Sequence, residues 1–115
     1  MKKILALLLT LTMVCGLTAC GNSASDDTYV VGICQLVQHE ALDAATQGFK
    51  DALVEELGDK VSFDEQNAQG DSNTCSTIVN SFVSNDVDLI LANATPALQA
   101  AAAGTNEIPI LGTSV

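Results

Sequence analysis

The sequence contains no tryptophan and only 3% aromatic residues. A core of stacked rings is excluded, so it must be assembled from Val, Ile, Leu, Ala and the three Phe. Positive charge is just as scarce: four Lys and Arg stand against 14 Asp and Glu, for a formal net charge of −10. Binding to a phosphate backbone relies on Lys and Arg, so nucleic acid is not an expected partner. There is one histidine, and no Cys or His spacing matches a zinc site. Gly32 and Gly70 belong to no glycine-rich phosphate loop. Neither a metal nor any other cofactor is therefore expected. At 115 residues the chain is long enough for one small domain.

What the N-terminus does contain is an export signal. Lys2 and Lys3 are followed by a mostly apolar run from Ile4 to Val14 and then by a small-residue region. That run is too short for a spanning helix, which needs about 20 residues, but it suits a signal segment. Leu17-Thr18-Ala19-Cys20 resembles the bacterial lipobox, in which the cysteine thiol is acylated before cleavage. The plainer alternative is an ordinary secretory signal with an incidental cysteine. Residues 1–19 thus read as a lipoprotein signal peptide and residues 20–28 as a lipidated, polar, flexible tether. After cleavage, Lys50 and Lys60 alone would face the 14 carboxylates. Such a surface has no polybasic grip on anionic lipid, which leaves the lipid on Cys20 to hold the protein at a membrane.

From Tyr29 onward, strand and helix patterns alternate. Tyr29–Cys34 is a near-continuous apolar run, as expected of a strand buried on both faces. Leu42, Ala45, Phe49, Leu53 and Leu57 recur at helical spacing, and Gly58 stands where that helix should end. Val61–Glu65 is a more polar strand that belongs near an edge. Asp71 or Ser72 can cap a helix whose stripe is Cys75, Ile78, Val79, Phe82 and Val83. Val87–Ala92 reads as a third strand. Thr95 then caps an alanine-rich helix, with Pro96 in its first turn and Gly104 at its end. Ile108–Gly112 is a fourth strand, whose internal Pro109 leaves a ladder position unpaired.

The order βαβαβαβ predicts an α/β fold, a parallel sheet of about four strands flanked by helices. Residues 29–115 would form this lobe. Nothing follows the fourth strand to cover its outer edge, and an open edge is a liability. The chain is therefore expected to be the first part of a longer protein.

Ligands of open parallel sheets bind at the carboxyl ends of the strands. The segments expected there are rich in amide and hydroxyl groups: Gln35, Gln38, Asn67, Gln69, Asn93, Thr95, Thr113 and Ser114. Such groups recognise a small polar ligand through neutral hydrogen bonds, and helix N-termini on the same rim favour a ligand carboxylate. Each group also has a plainer role. Asp71, Ser72 and Thr95 are helix caps first, while Asn67 and Asn93 can satisfy turn backbone. His39, beside Glu40 and Asp43, reads as a rim contact, a solvated loop residue or, least favourably, a general base. With Cys15 in the signal and Cys20 lipidated, Cys34 and Cys75 remain. An oxidising compartment would permit a disulfide between them, but their apolar settings favour two separate buried thiols.

Several segments together resemble a known family. They are His39-Glu40-Ala41-Leu42-Asp43 with Gly48-Phe49 downstream, Asn67-Ala68-Gln69-Gly70-Asp71, Leu89 through Ala97, and Ile108-Pro109-Ile110-Leu111. Behind a lipobox signal, this pattern is similar to the ABC-transporter substrate-binding lipoproteins, in particular the branch that takes up tryptophan, tyrosine and related aromatic amino acids. The resemblance implies lobe 1 of a two-lobe, periplasmic-binding-protein-like fold that clamps ligand between its lobes. It places Gln35, His39, Leu42, Asp43, Gln69, Thr95 and Ser114 near the ligand. It also implies a permease and an ATPase as partners, and anchorage at the extracytoplasmic face of the cell membrane. Two other functions remain in competition: a lipid-anchored hydrolytic enzyme, which would need His39 paired with Glu40 or Asp43, and a sensory lobe that reports occupancy to a signalling protein.

Overall fold

In a computed structural model of the protein, residues 28–115 are described. The signal segment, Cys20 and the tether as far as residue 27 lie outside the described residues. Four strands and three helices alternate: β1 (Tyr29–Gln35), α1 (Glu40–Leu57), β2 (Val61–Asn67), α2 (Ser72–Ser84), β3 (Leu89–Asn93), α3 (Thr95–Gly104) and β4 (Ile110–Thr113). A 3-10 turn, Gly58–Lys60, joins α1 to β2. All pairings are parallel, in the order β2-β1-β3-β4. The polar β2 is an edge strand, as its composition predicts.

Strand alternation divides the apolar residues into two layers. Cys34, Ile90 and Ala92 face α2 and α3, where they pack with Cys75, Ile78, Val79, Phe82, Ala97 and Ala101. Val31, Ile33 and Leu91 point the other way, against Phe49 and Leu53 of α1. The first layer is dense because small residues let helix and strand approach. A Cβ added to Gly32 would lie 2.7 Å from the Phe82 ring, and one added to Gly112 would lie 3.1 Å from Leu98.

The second layer is thinner. Leu42, Ala45, Phe49, Leu53 and Leu57 are each only half-buried, and of these Phe49 and Leu53 pack on the strand residues. One helix cannot cover four strands, and Leu111 of β4 remains 49% exposed. The single fully buried residue of α1 is polar Thr46.

The helix ends combine expected and unexpected chemistry. Asp71 caps α2, accepting from the Asn73 N–H at 2.8 Å. Gly58 closes α1 at φ 57°, and its N–H donates to Val54 O. Thr95 is not the cap of α3. That position falls to Ala94, whose methyl group offers no hydrogen bond, and Thr95 is already the first helical residue. Pro109 lies outside the fourth strand. It precedes β4, and its carbonyl accepts from the Ile90 N–H at 3.0 Å. Cys34 and Cys75 are two free, fully buried thiols, as their apolar settings predict, and both belong to one packed cluster. Burial, reinforced by the neighbouring Cys75 thiol, pushes the Cys34 thiol up to about 12.

Candidate functional site

From β1 the chain crosses to β2 on one side, whereas β3 leads on to β4 on the other. The order therefore reverses between β1 and β3, and a crevice opens at the carboxyl ends of strands at such a switch point. Gln35 and Asn93, the last residues of β1 and β3, are register partners there. The loops beyond are tied together through the backbone. Leu36 N–H donates to Asn93 O at 3.2 Å, Ala68 N–H to Gln35 O at 2.9 Å, and Gly70 N–H to Leu36 O at 2.8 Å.

Above this frame lies a hollow of about 320 Å³ lined by Gln35, Gln38, Asp43, Glu65, Gln66 and Asn67. An adjoining hollow of about 420 Å³ is lined by Val37, Gln38, Asn67 and Gln69. Gln35 is 4% exposed, and its Nε2 donates to Asp43 Oδ1 at 2.7 Å and to Val37 O at 2.8 Å. Glu65 is neutralised by Lys50 at 2.8 Å, the only ion pair among the described residues. Lys50 also sits 5.6 Å above the Phe63 ring. Among the described residues, Asp43 has no such cation beside it. The hollow thus offers amides together with one uncompensated carboxylate, a combination suited to a ligand carrying hydroxyl, amide or ammonium groups.

The residues anticipated as ligand contacts divide into three groups. Gln35 and Asp43 meet directly and line the first hollow, and Gln69 lines the second. Thr95 and Ser114 are exposed at the carboxyl ends of β3 and β4, on the same rim but outside both hollows. His39 and Leu42 also line neither. His39 caps α1, its Nδ1 accepting from Ala41 N–H at 3.1 Å, a role its sequence context did not reveal. Leu42 contributes its carbonyl, which accepts from Asn93 Nδ2 at 2.8 Å. Asn67 does satisfy turn backbone, accepting from Gln69 N–H at 2.8 Å. Asn93 does not: its amide turns inward to Leu42 and Thr46.

Strain concentrates on the same rim. Among the described residues, Gln69, Asp86, Ala94 and Ser114 are the non-glycine residues with positive φ, and only Asp86 lies away from the strand carboxyl ends. Ala94 is extreme, at φ 96° and ψ 158°, a region that is essentially glycine's alone. It is held there by Thr113 O, which accepts its N–H at 2.9 Å, and by Leu98 N–H, which donates to its carbonyl at 3.1 Å. Ala94→Gly should relieve this strain. The relief of about 1–3 kcal/mol exceeds the roughly 0.5–1 kcal/mol that glycine costs through chain entropy, so the denaturant midpoint should rise. A lower midpoint would show that the conformation is not strained.

A third hollow, about 490 Å³, lies at the opposite end of the strands and is lined by Tyr29, Val31, Leu53, Leu57, Asp88 and Leu89. Its one carboxylate is already engaged, since Asp88 Oδ2 accepts from Val30 N–H at 2.8 Å. It therefore offers little for recognising a polar ligand.

A parallel α/β lobe with a polar crevice at its switch point defines a class, the ligand-binding lobe. Residues 30–115 match the family model described as ABC transporter substrate binding protein, and the chain belongs to that family. A tyrosine-binding protein of Clostridioides difficile (strain R20291) is 41% identical over 130 residues, which cover 99% of this chain and 38% of that protein. Two solved structures are similar. A ligand-free, open substrate-binding protein with adhesive properties from Clostridium difficile superposes with a TM-score of 0.71 at 44% identity, covering 74% of this chain and 30% of the other. The ABC domain in complex with L-Trp from Streptococcus pneumonia gives a TM-score of 0.69 at 35% identity, with the same coverage. The expected periplasmic-binding-protein-like architecture is thus present. The chain spans less than two-fifths of the curated relative's length. The hydrolase alternative gains no support, because the family and these relatives are substrate-binding proteins, not enzymes.

Proposed function

We propose that this chain forms the first lobe of an extracytoplasmic solute receptor, which captures an aromatic amino acid between two lobes and delivers it to the permease and ATPase of an ABC transporter. The observation that carries this reading is the Gln35–Asp43 pair, set at the switch point in a hollow of neutral amides. Asp43 would receive the ligand's ammonium group. Gln69, Thr95 and Ser114, with helix N-termini beside them, would serve its other polar atoms, and His39 and Leu42 would shape the first loop. The relatives named for tyrosine and solved with L-Trp support the choice of ligand class. Family membership supports the extracytoplasmic location and the permease partner. Closure of two lobes on the ligand would report occupancy to the permease.

Calorimetric titration of the full-length protein with tyrosine, tryptophan and phenylalanine tests this reading. Saturable heat with at least one of them is expected. Heat only with non-aromatic solutes would remove the aromatic assignment, and no heat with any small solute would remove the receptor.

The membrane attachment belongs to the same proposal. Cys20 would carry the lipid and residues 20–28 would tether the lobe, a reading supported by the acidic surface of residues 29–115, which offers no polybasic grip on anionic lipid. Cys20→Ser should move the protein from the membrane to the aqueous fraction while its affinity for ligand stays the same. Persistent membrane association of that variant would contradict the lipid anchor.

A further inference from the structure

Beneath the first hollow, a hydrogen-bonded chain of side chains runs from buried residues out to its wall. Asn93 Nδ2 donates to Leu42 O at 2.8 Å and to Thr46 Oγ1 at 2.9 Å. Thr46 Oγ1 donates to Gln35 Oε1 at 2.8 Å. Gln35 Nε2 then donates to Val37 O and to Asp43 Oδ1. Asn93, Thr46 and Gln35 are 0%, 3% and 4% exposed, so water does not compete for these bonds.

Each orientation in this chain is forced by the one before. Leu42 O can only accept, so the Asn93 amide must present its NH2 there. A flipped amide would set Oδ1 against a carbonyl. The Asn93 N–H occupies a lone pair of Thr46, and the single Thr46 proton is directed to Gln35 Oε1. Gln35 cannot flip either, because its oxygen would then face the Val37 carbonyl and the Asp43 carboxylate. A network that served burial alone would close on buried partners. This one leads outward from the β1–β3 register pair to a carboxylate on the wall of the hollow and to the loop that follows β1.

We infer that Thr46 is a positioning residue for ligand binding: through Gln35, its hydroxyl fixes the Asp43 carboxylate and the Val37 carbonyl in the geometry that receives the ligand. The inference rests on the reading of this hollow as the ligand site. It explains why the one fully buried residue of α1 is a threonine on an otherwise apolar stripe. Asn93 Oδ1, buried and without a partner among the described residues, marks the inner end of the chain.

The test compares full-length wild type, Thr46→Val and Thr46→Ser by calorimetric titration with L-tyrosine and L-tryptophan, with folding checked by circular dichroism. Valine keeps the shape and removes the hydroxyl, and affinity should fall roughly tenfold, the worth of a hydrogen bond lost from a buried network. Serine keeps the hydroxyl and should bind within about threefold of wild type, since both hydroxyls donate and accept alike. A folded valine variant with wild-type affinity overturns the inference, as does a serine variant that loses as much as valine. If the valine variant does not fold, Thr46→Cys decides. Its thiol is a weak donor, so reduced affinity supports the inference and wild-type affinity overturns it. A wild-type protein that binds no amino acid overturns the receptor reading and this inference with it. Binding by wild type and a folded valine variant alike overturns this inference alone.

Discussion

Gly32→Ala is expected to destabilise the lobe by about 1–3 kcal/mol, the usual cost of forcing a methyl group into a packed core. The added Cβ would stand 2.7 Å from both Cγ and Cδ2 of Phe82 and 2.9 Å from Cδ1. Phe82 is fully buried and packed among Cys75, Ile78, Val79 and Ile90, so its ring has no free volume into which to retreat. The strand backbone is equally constrained, because β1 pairs with β2 on one side and β3 on the other. Chemical denaturation of the intact protein measures the effect. Phe82→Leu supplies the control, since a smaller side chain frees space where the new methyl group would sit. The double variant should therefore lose less than the sum of the two single losses, by an interaction energy of roughly 0.5–3 kcal/mol. Strictly additive losses would show that the ring and the glycine do not constrain each other.

The Cys34 thiol should be almost inert in the native state and should make stability fall in alkali. Its ordinary value is 9.0, and burial, with the Cys75 thiol adding to it, raises this to about 12 in the fold. Below pH 9 the thiol is protonated in both states, and its contribution to stability is fully present. Between about 9 and about 12 the unfolded chain releases the proton while the folded chain keeps it. Stability should then fall by about 1.4 kcal/mol per pH unit from this group alone. Other groups titrate in the same range, so the comparison is with Cys34→Ala, whose alkaline slope should be shallower by that amount. Equal slopes would show that Cys34 titrates normally. Alkylation gives a second reading. The thiolate is the reactive form, and the raised value lowers its fraction near neutral pH. Labelling of Cys34 should therefore require unfolding.

Much of the architecture was legible in the sequence because it rests on periodicity. Of the stripe Cys75, Ile78, Val79, Phe82 and Val83, the first four are the buried face of α2 and Val83 is exposed; the polar β2 lies at an edge, and the β/α alternation gives a parallel sheet. What could not be read depends on backbone geometry or on contacts between distant residues. Thr95 has the residue type of a cap, but the backbone turns one residue earlier, at Ala94, in a conformation that alanine does not signal. The two cysteines come from different elements, and only the fold brings them into one cluster. Among the residues lining the candidate hollows, the amide-rich loops at strand ends pointed to Gln35 and Gln69, while Asp43 followed only from the family resemblance. Thr46 carried a faint signal, because it sits four residues after Leu42 on the apolar stripe, where a hydroxyl is out of place. Asn93 looked like a turn residue because its true partners, Leu42 and Thr46, lie far away in the chain.

The unequal cover of the two sheet faces has a kinetic consequence. α2 and α3 bury their apolar residues deeply, whereas α1 buries only Thr46 completely. Amide protons of α1 should therefore exchange with solvent through local openings that leave the α2–α3 side closed. Asp43 and Thr46 both belong to α1, so the less protected half of the lobe carries the hollow. A ligand held there would slow those openings in proportion to its occupancy. Deuterium uptake along Glu40–Leu57 would then report ligand binding without any label on the ligand.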